Sequence, residues 1–345
     1  MIRVGIAGCG KIAQVRHIPE YEANAASKIC GVFDLNPERA KEVAKRVGAK
    51  AFSSYEEMLA DAEIDAISIC AANTAHAEMA VQALEAGKHV LCEKPMATTP
   101  EDCERMVKAA RASGRTLMIG QNQRLAAAHR KAKELLDGGA IGRLITFETA
   151  FRHGGPETWS VDPGAGTWFF DKNRAAMGAM ADLGVHKTDL IQYLTGQHVT
   201  EVTAFLGALD KKFADGTPIT VDDNAVCLFR LSGGAMGTMT ASWTDYAGED
   251  NSTVLYGTEG VLRIYDDPAH SLVLHKRDGT TEYYDVDRIQ TNADQSSSGV
   301  IDMFVAHLLD EKQPYISGES VLPAMRAVFA AVESAEKGTA VRING

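Results

Sequence analysis

Through the first third of the chain, short and nearly unbroken apolar runs alternate with longer stretches of helical spacing. Residues 2–7, 28–33, 66–70, 89–92 and 116–119 read as strands. They are apolar on both alternating faces, the pattern of a parallel sheet covered on both sides. The spacing between them predicts helices. Residues 37–47 follow Asn36 as cap, carry Pro37 at the first helical position and stop at Gly48. Residues 75–86 stop at Gly87 with Asn73 or Thr74 as cap, and residues 100–112 lie between Thr99 and Gly114. Strand–helix alternation of this kind predicts an α/β, doubly wound parallel sheet.

The pattern changes near Gly120. A helix over 126–136 ends at Gly138-Gly139, and strand-like runs follow at 144–152, 199–206, 225–231, 236–243, 253–256, 261–265 and 272–275. Ser232-Gly233-Gly234-Ala235 joins two of them as a hairpin turn. Consecutive strands without intervening helices predict a mostly antiparallel sheet. Residues 180–194 form the main helix of this half, and helices over 299–309 and 320–336 close the chain. Two domains are expected, residues 1–121 and 122–345, with a C-terminal helix able to pack back on the first. The Gly- and Pro-rich loop 153–173 carries Trp159 and Trp168 and is long enough to be read as functional.

Composition narrows the classes. A chain of 345 residues with 45% hydrophobic and 23% charged positions is an ordinary globular sequence. Its net charge of −11 argues against nucleic acid and anionic membrane as partners. The six cysteines form no CxxC pair and no zinc-binding spacing with histidine, so no metal is expected and the thiols suit a reducing compartment, the cytoplasm. No signal-type segment opens the chain, and no apolar run approaches the ~20 residues of a membrane span.

Gly8-Cys9-Gly10-Lys11-Ile12-Ala13 follows the first strand in the form G-x-G-x-x-A. The first glycine permits a tight turn. The second admits a pyrophosphate to the backbone, and the small third residue lets the helix approach the strand. Asp34, at the end of the second strand, is placed to accept hydrogen bonds from the adenosine ribose and to repel a 2′-phosphate. NAD is therefore expected over NADP, with Arg39 as the nearby base that weakens the preference.

Other candidates read two ways from the motif alone. Lys94, in Glu93-Lys94-Pro95 after the strand 89–92, is either a surface loop lysine or a positive charge for a substrate oxygen. Ala72-Asn73-Thr74-Ala75-His76 either caps a helix or lies over the cofactor. Asp182 and His186, four apart on a helix, either contact one another or face a ligand, with Asp189 a weak third member. Arg124, beside Asn122 and Gln123, either meets a substrate or ties two domains together.

Taken together, these motifs resemble the glucose–fructose oxidoreductase / inositol dehydrogenase family (Gfo/Idh/MocA). The resemblance covers essentially the whole chain, and the combination of Glu93-Lys94-Pro95 with the later Asp182-x-x-x-His186, within Gly178 to Asp189, is its specific part. It implies a Rossmann domain followed by an α/β domain with a large open sheet, whose outer face makes homodimers or homotetramers. It implies hydride transfer between NAD and a ring secondary alcohol of a sugar, sugar derivative or inositol. Lys94, Asp182 and His186 would be catalytic: His186 takes the hydroxyl proton, Lys94 stabilises the alkoxide, and Asp182 binds substrate or orients His186. Gly8, Gly10, Lys11, Ile12, Asp34, Ala72, Asn73, His76, Glu93, Lys94 and Gln123 would hold the cofactor. Arg124 and Trp168 would join Lys94, Asp182 and His186 on the substrate. One departure is Ala176-Met177-Gly178, where relatives carry a glycine run. Two alternatives share these residues: NAD-assisted glycoside cleavage by transient oxidation and elimination, and a non-catalytic NAD/sugar-sensing regulator.

Overall fold

The computed structural model describes residues 1–287 and 297–343. These divide into two compact units. The first comprises Met1–Asn122, Trp159–Asp162 and residues 297–322, and the second comprises residues 123–158, 163–287 and 323–343.

In the first unit, strands β1 (Ile2–Ala7), β2 (Ser27–Phe33), β3 (Lys50–Ala51), β4 (Ala66–Ile69), β5 (His89–Cys92) and β6 (Leu117–Ile119) form one parallel sheet in the order β3-β2-β1-β4-β5-β6. This is the dinucleotide-binding order, with the strand order reversing between the parallel neighbours β1 and β4. Every residue of β4 is buried, as a centre strand covered on both faces requires. Helices α1 (Ile18–Ala23), α2 (Pro37–Val47), α3 (Tyr55–Ala60), α4 (His76–Glu85) and α5 (Pro100–Ser113) flank it. The punctuation of α2 and α5 acts as its chemistry dictates. The Asn36 side chain accepts from the amides of Glu38 and Arg39, Thr99 accepts from Asp102, and Gly48 and Gly114 end the two helices at φ 67° and 65°.

Local structure departs from the expected pattern in three places. The turn after the glycine fingerprint is π-helical over Ala13–His17 before α1 begins. Asn73 and Thr74 lie in a 3₁₀ turn (Asn73–Ala75) that runs into α4, so the position directly before α4 is Ala75, which has no polar side chain. The short β3 and α3, which the apolar pattern does not signal, complete the half-sheet.

In the second unit, α6 (Ala127–Asp137), β7 (Leu144–Arg152), α7 (Lys172–Ala175), α8 (Val185–Thr195), β8 (Val199–Gly207), β9 (Asn224–Leu231), β10 (Met236–Ser242), β11 (Thr253–Gly257), β12 (Gly260–Ile264), β13 (Leu272–Lys276) and β14 (Thr281–Tyr284) follow in order. After α9 (Val300–Leu309) and α10 (Gly318–Lys337), β15 (Val341–Arg342) completes a sheet ordered β14-β13-β12-β11-β7-β10-β9-β8-β15. Its pairs are antiparallel except β7 with β10, so the sheet is mixed and mostly antiparallel. The hairpin expected at Ser232–Ala235 joins β9 to β10. Inner-face residues such as Phe147, Val202, Cys227, Phe229 and Met239 form its core.

Of the closing helices, α9 lies in the first unit, where Glu20 accepts from the Ser298 amide and hydroxyl. Helix α10 belongs to the second unit from Pro323 onward, and its Ser334 hydroxyl accepts from the Ala204 amide of β8. The six cysteines are free thiols. Among the described residues, no helix is long and apolar enough to cross a membrane.

Candidate functional site

The first unit gathers its candidates at the carboxyl ends of the parallel strands, where open α/β sheets bind ligands. Gly8 follows β1 at φ 95°, and a Cβ there would stand 2.6 Å from the Cys70 carbonyl group, so glycine is required. Gly10 differs: a Cβ there would meet no protein atom within 4 Å. Packing does not demand that glycine, whereas open space before a bare backbone suits a pyrophosphate. Lys11 and Ile12 carry the turn into the helix.

Asp34, after β2, accepts the Cys9 amide at 2.7 Å through Oδ2 and the Asn36 amide at 2.8 Å through Oδ1. A carboxylate has about four lone-pair sites, so both oxygens retain capacity for ribose hydroxyls. The acid expected to read the ribose therefore also braces the glycine turn. These residues fit NAD.

Glu93 and Lys94 follow β5. Glu93 is buried, and its Oε1 pairs with His17 Nε2 at 2.8 Å while Oε2 accepts the Lys94 amide at 3.2 Å. Burial pushes its carboxyl upward, but the His17 hydrogen bond and the charges of His17, Arg16 and Lys94 outweigh it and lower the group to about 2. His17 Nδ1 is in turn 2.8 Å from Ser68 Oγ, which also meets the Tyr21 hydroxyl. Glu93 is thus a buried fixed anion at the foot of Lys94. His76 faces the Pro95 and Ala71 carbonyls at 2.7 and 3.1 Å, and burial lowers its pKa. It ties the Lys94-Pro95 turn to the Ala72–Asn73 turn.

The second unit holds Asp182 and His186, both buried. The helix carrying them opens as a π-helical turn (Met180–Gly184) and becomes α-helical at Val185, so the pair spans a change of helical pitch. Asp182 Oδ2 accepts the Trp243 indole N–H at 3.1 Å and lies 3.8 Å from His153 Nε2. The Gly155 amide donates to His153 Nδ1, which places the hydrogen of the neutral ring on Nε2, toward Asp182. The His186 ring packs 5.9 Å from that of Phe151. Burial and the nearby Asp182 raise Glu249 to about 7. His153 directly follows β7, Trp243 directly follows β10 and Glu249 lies in the loop beyond it, so no local sequence signal links them to Asp182.

Arg124 lies in the same unit, forked onto Asp189 through Nε and Nη2, the former at 2.7 Å. Asp189 is therefore a partner of Arg124 and not a third member of the Asp182–His186 pair. Gln123 also belongs to this unit and donates to Asn251 Oδ1 at 3.1 Å. Trp168 stacks on Phe169 with centroids 4.0 Å apart. Lys187, beside His186, is fully buried and donates to the Asn251 carbonyl at 2.8 Å; burial lowers its pKa to about 7. Ala176, where the sequence departs from a glycine run, has φ 63°, a conformation that favours glycine.

Residues 2–121 match the model of the GFO_IDH_MocA oxidoreductase family with an NAD-binding Rossmann fold, and residues 129–263 match a GFO/IDH/MocA C-terminal domain. Inositol 2-dehydrogenase 3 of Saccharopolyspora erythraea is 31% identical over 78% of this chain and 75% of that protein. Levoglucosan dehydrogenase of Pseudarthrobacter phenanthrenivorans is 33% identical over 67% of this chain, a match spanning 63% of that protein. A solved levoglucosan dehydrogenase, in complex with NADH and levoglucosan, superposes with a TM-score of 0.87 at 25% identity over 99% of both chains. The chain belongs to the Gfo/Idh/MocA family of NAD-binding Rossmann oxidoreductases.

Proposed function

We propose that the protein is an NAD-dependent dehydrogenase acting on a ring secondary alcohol of a sugar, a sugar derivative or an inositol. The carrying observation is a lysine at the carboxyl end of β5, set on a buried carboxylate in a dinucleotide-binding sheet. Relatives named as levoglucosan and inositol dehydrogenases support the substrate class.

Bound NAD supplies the hydride acceptor, and the chain supplies position and electrostatics. Gly8, Gly10, Lys11 and Ile12 form the phosphate turn, Asp34 reads the ribose, and the Ala72–Asn73 turn with His76 and Glu93 frames the cofactor side. Lys94 donates to the substrate oxygen and stabilises its developing negative charge. His186 accepts the hydroxyl proton, and Asp182, held by Trp243, binds a substrate hydroxyl or orients His186. Arg124 and Trp168 complete the substrate side, and Gln123 contributes from the segment after β6.

The reading is tested by NADH formation across inositols, aldoses, glycosides and sugar acids, with NAD and NADP in parallel. Net NADH from a free sugar or inositol is expected. Aglycone release without net NADH would assign the protein to redox-assisted glycoside cleavage. Dinucleotide binding without turnover on the whole panel would assign it to sensing.

The outer face of the larger sheet exposes Phe205, Val226 and Leu228 on the paired strands β8 and β9, at 76%, 49% and 57%. A second copy of the chain is proposed to cover this face. Light scattering should give a dimer or tetramer, and Phe205→Lys with Leu228→Lys should shift it to monomer. A monomeric parent protein would sink the idea.

A further inference from the structure

Asp34 is not the only acidic group that bears on the cofactor's ribose end. Arg39 sits in the first turn of α2, directly after β2 and Asp34. A basic residue in this neighbourhood is what accommodates a 2′-phosphate in NADP-binding relatives of the fold. Its Nη1 lies 3.9 Å from Asp34 Oδ1. By itself it would offset the repulsion that Asp34 exerts on a phosphate.

The guanidinium is already engaged. Its Nη2 donates to both carboxylate oxygens of Asp162, at 2.8 and 2.9 Å. Asp162 lies on the long loop after β7, in the short stretch Trp159–Asp162 that clusters with the first unit. The Arg39 side chain is only 21% exposed, so its charge is held in place between two carboxylates. The loop is shaped locally at this point: the Ser160 hydroxyl donates to the Asp162 carbonyl at 2.9 Å.

We propose that Asp162 is a cofactor-selectivity residue: by pairing with Arg39 it withholds that guanidinium from a 2′-phosphate, so that Asp34 and Asp162 together enforce NAD over NADP. The inference rests on the NAD reading of the first unit. NAD has a hydroxyl at this position and leaves the Arg39–Asp162 fork intact. NADP must either break the fork to recruit Arg39 or place a phosphate against two carboxylates with their shared cation already neutralised. The Asp162 carboxylate is 64% exposed, so the coupling is that of a partly solvated ion pair and is screened by salt.

The test measures binding of NADH and NADPH by their fluorescence, which needs no sugar substrate. The proteins compared are the parent, Asp162→Asn, Arg39→Ala and the double variant. Asp162→Asn is expected to tighten NADPH about three- to tenfold and to leave NADH within about twofold, a size consistent with a partly exposed charge pair. The gain should vanish when Arg39→Ala is added, and it should shrink at high salt. NADPH affinity unchanged in Asp162→Asn, an equal change for both dinucleotides, or a gain that survives Arg39→Ala would overturn the proposal. A parent protein that bound neither dinucleotide would overturn the NAD reading instead, and the proposal with it.

Discussion

Lys94→Met is expected to lower kcat for sugar or inositol oxidation about a thousandfold or more while NADH affinity stays within about threefold. The Lys94 side chain follows Glu93, whose carboxylate is buried, fixed by His17 and bonded to the Lys94 amide. A fixed donor aimed at a developing oxyanion contributes roughly 3–4 kcal/mol, or 10²–10³ in rate. Loss of a coupled proton-transfer route costs a further ~10²–10⁴, which for Lys94 overlaps with the electrostatic loss and does not simply multiply it. His186→Ala removes the proposed base and should fall in the same 10²–10⁴ range. Neither residue belongs to the Gly8–Asp34 end proposed to hold the adenosine half, so dinucleotide binding should survive in both. The measurement pairs NADH absorbance kinetics with NADH fluorescence titration. A Lys94 variant turning over at near the parental rate, or one that loses NADH, would remove Lys94 from the chemistry.

Much of the first unit was legible because its strands are buried on both faces and its helices carry their own stop signals. Asn36, Pro37 and Gly48 act through neighbours one to four residues away, so sequence alone shows them. The π-turns at Ala13–His17 and Met180–Gly184 were not legible, because apolar spacing does not distinguish one inserted residue in a helix. The parallel pairing of β7 with β10 joins strands some ninety residues apart (Phe147 opposite Gly237), and nothing local announces it. Site chemistry divides the same way. Gly8, Gly10 and Asp34 form a local fingerprint, whereas Asp182 acquires Trp243 and His153 only through folding. Arg124 and Asp189 looked like separate candidates until the fold forked one onto the other. Lys187 shows the limit most sharply, since a lysine in an apolar helix reads as a surface position and here is fully buried on a backbone carbonyl.

The second large effect is expected at the clasp that starts the Asp182–His186 helix. Gly178 passes so close to β9's approach that a Cβ there would stand 1.8 Å from the Asp222 carbonyl oxygen. The Asp222 carboxylate accepts the Gly178 and Met180 amides, both at 2.7 Å, and its carbonyl accepts the Ala179 amide at 2.8 Å. Three successive amides are thereby satisfied by one residue. Gly178→Ala must displace backbone and is expected to destabilise the second unit by about 3 kcal/mol or more. Asp222→Ala strands two buried amides at about 1–3 kcal/mol each. Burial pushes the Asp222 carboxyl up to about 6 despite those two amides pulling it down. A raised carboxyl binds more protons folded than unfolded, so its contribution is full below about pH 4 and is lost as pH rises through about 6. Asp222→Asn should therefore flatten the stability change between pH 4 and pH 6.5, provided other carboxyls titrate alike in both proteins. Urea denaturation read by tryptophan fluorescence checks all three variants, because Trp243 donates to Asp182 on the same helix and reports its loss. A Gly178→Ala protein with the parental midpoint would show that the close approach to Asp222 does not govern how this helix is set.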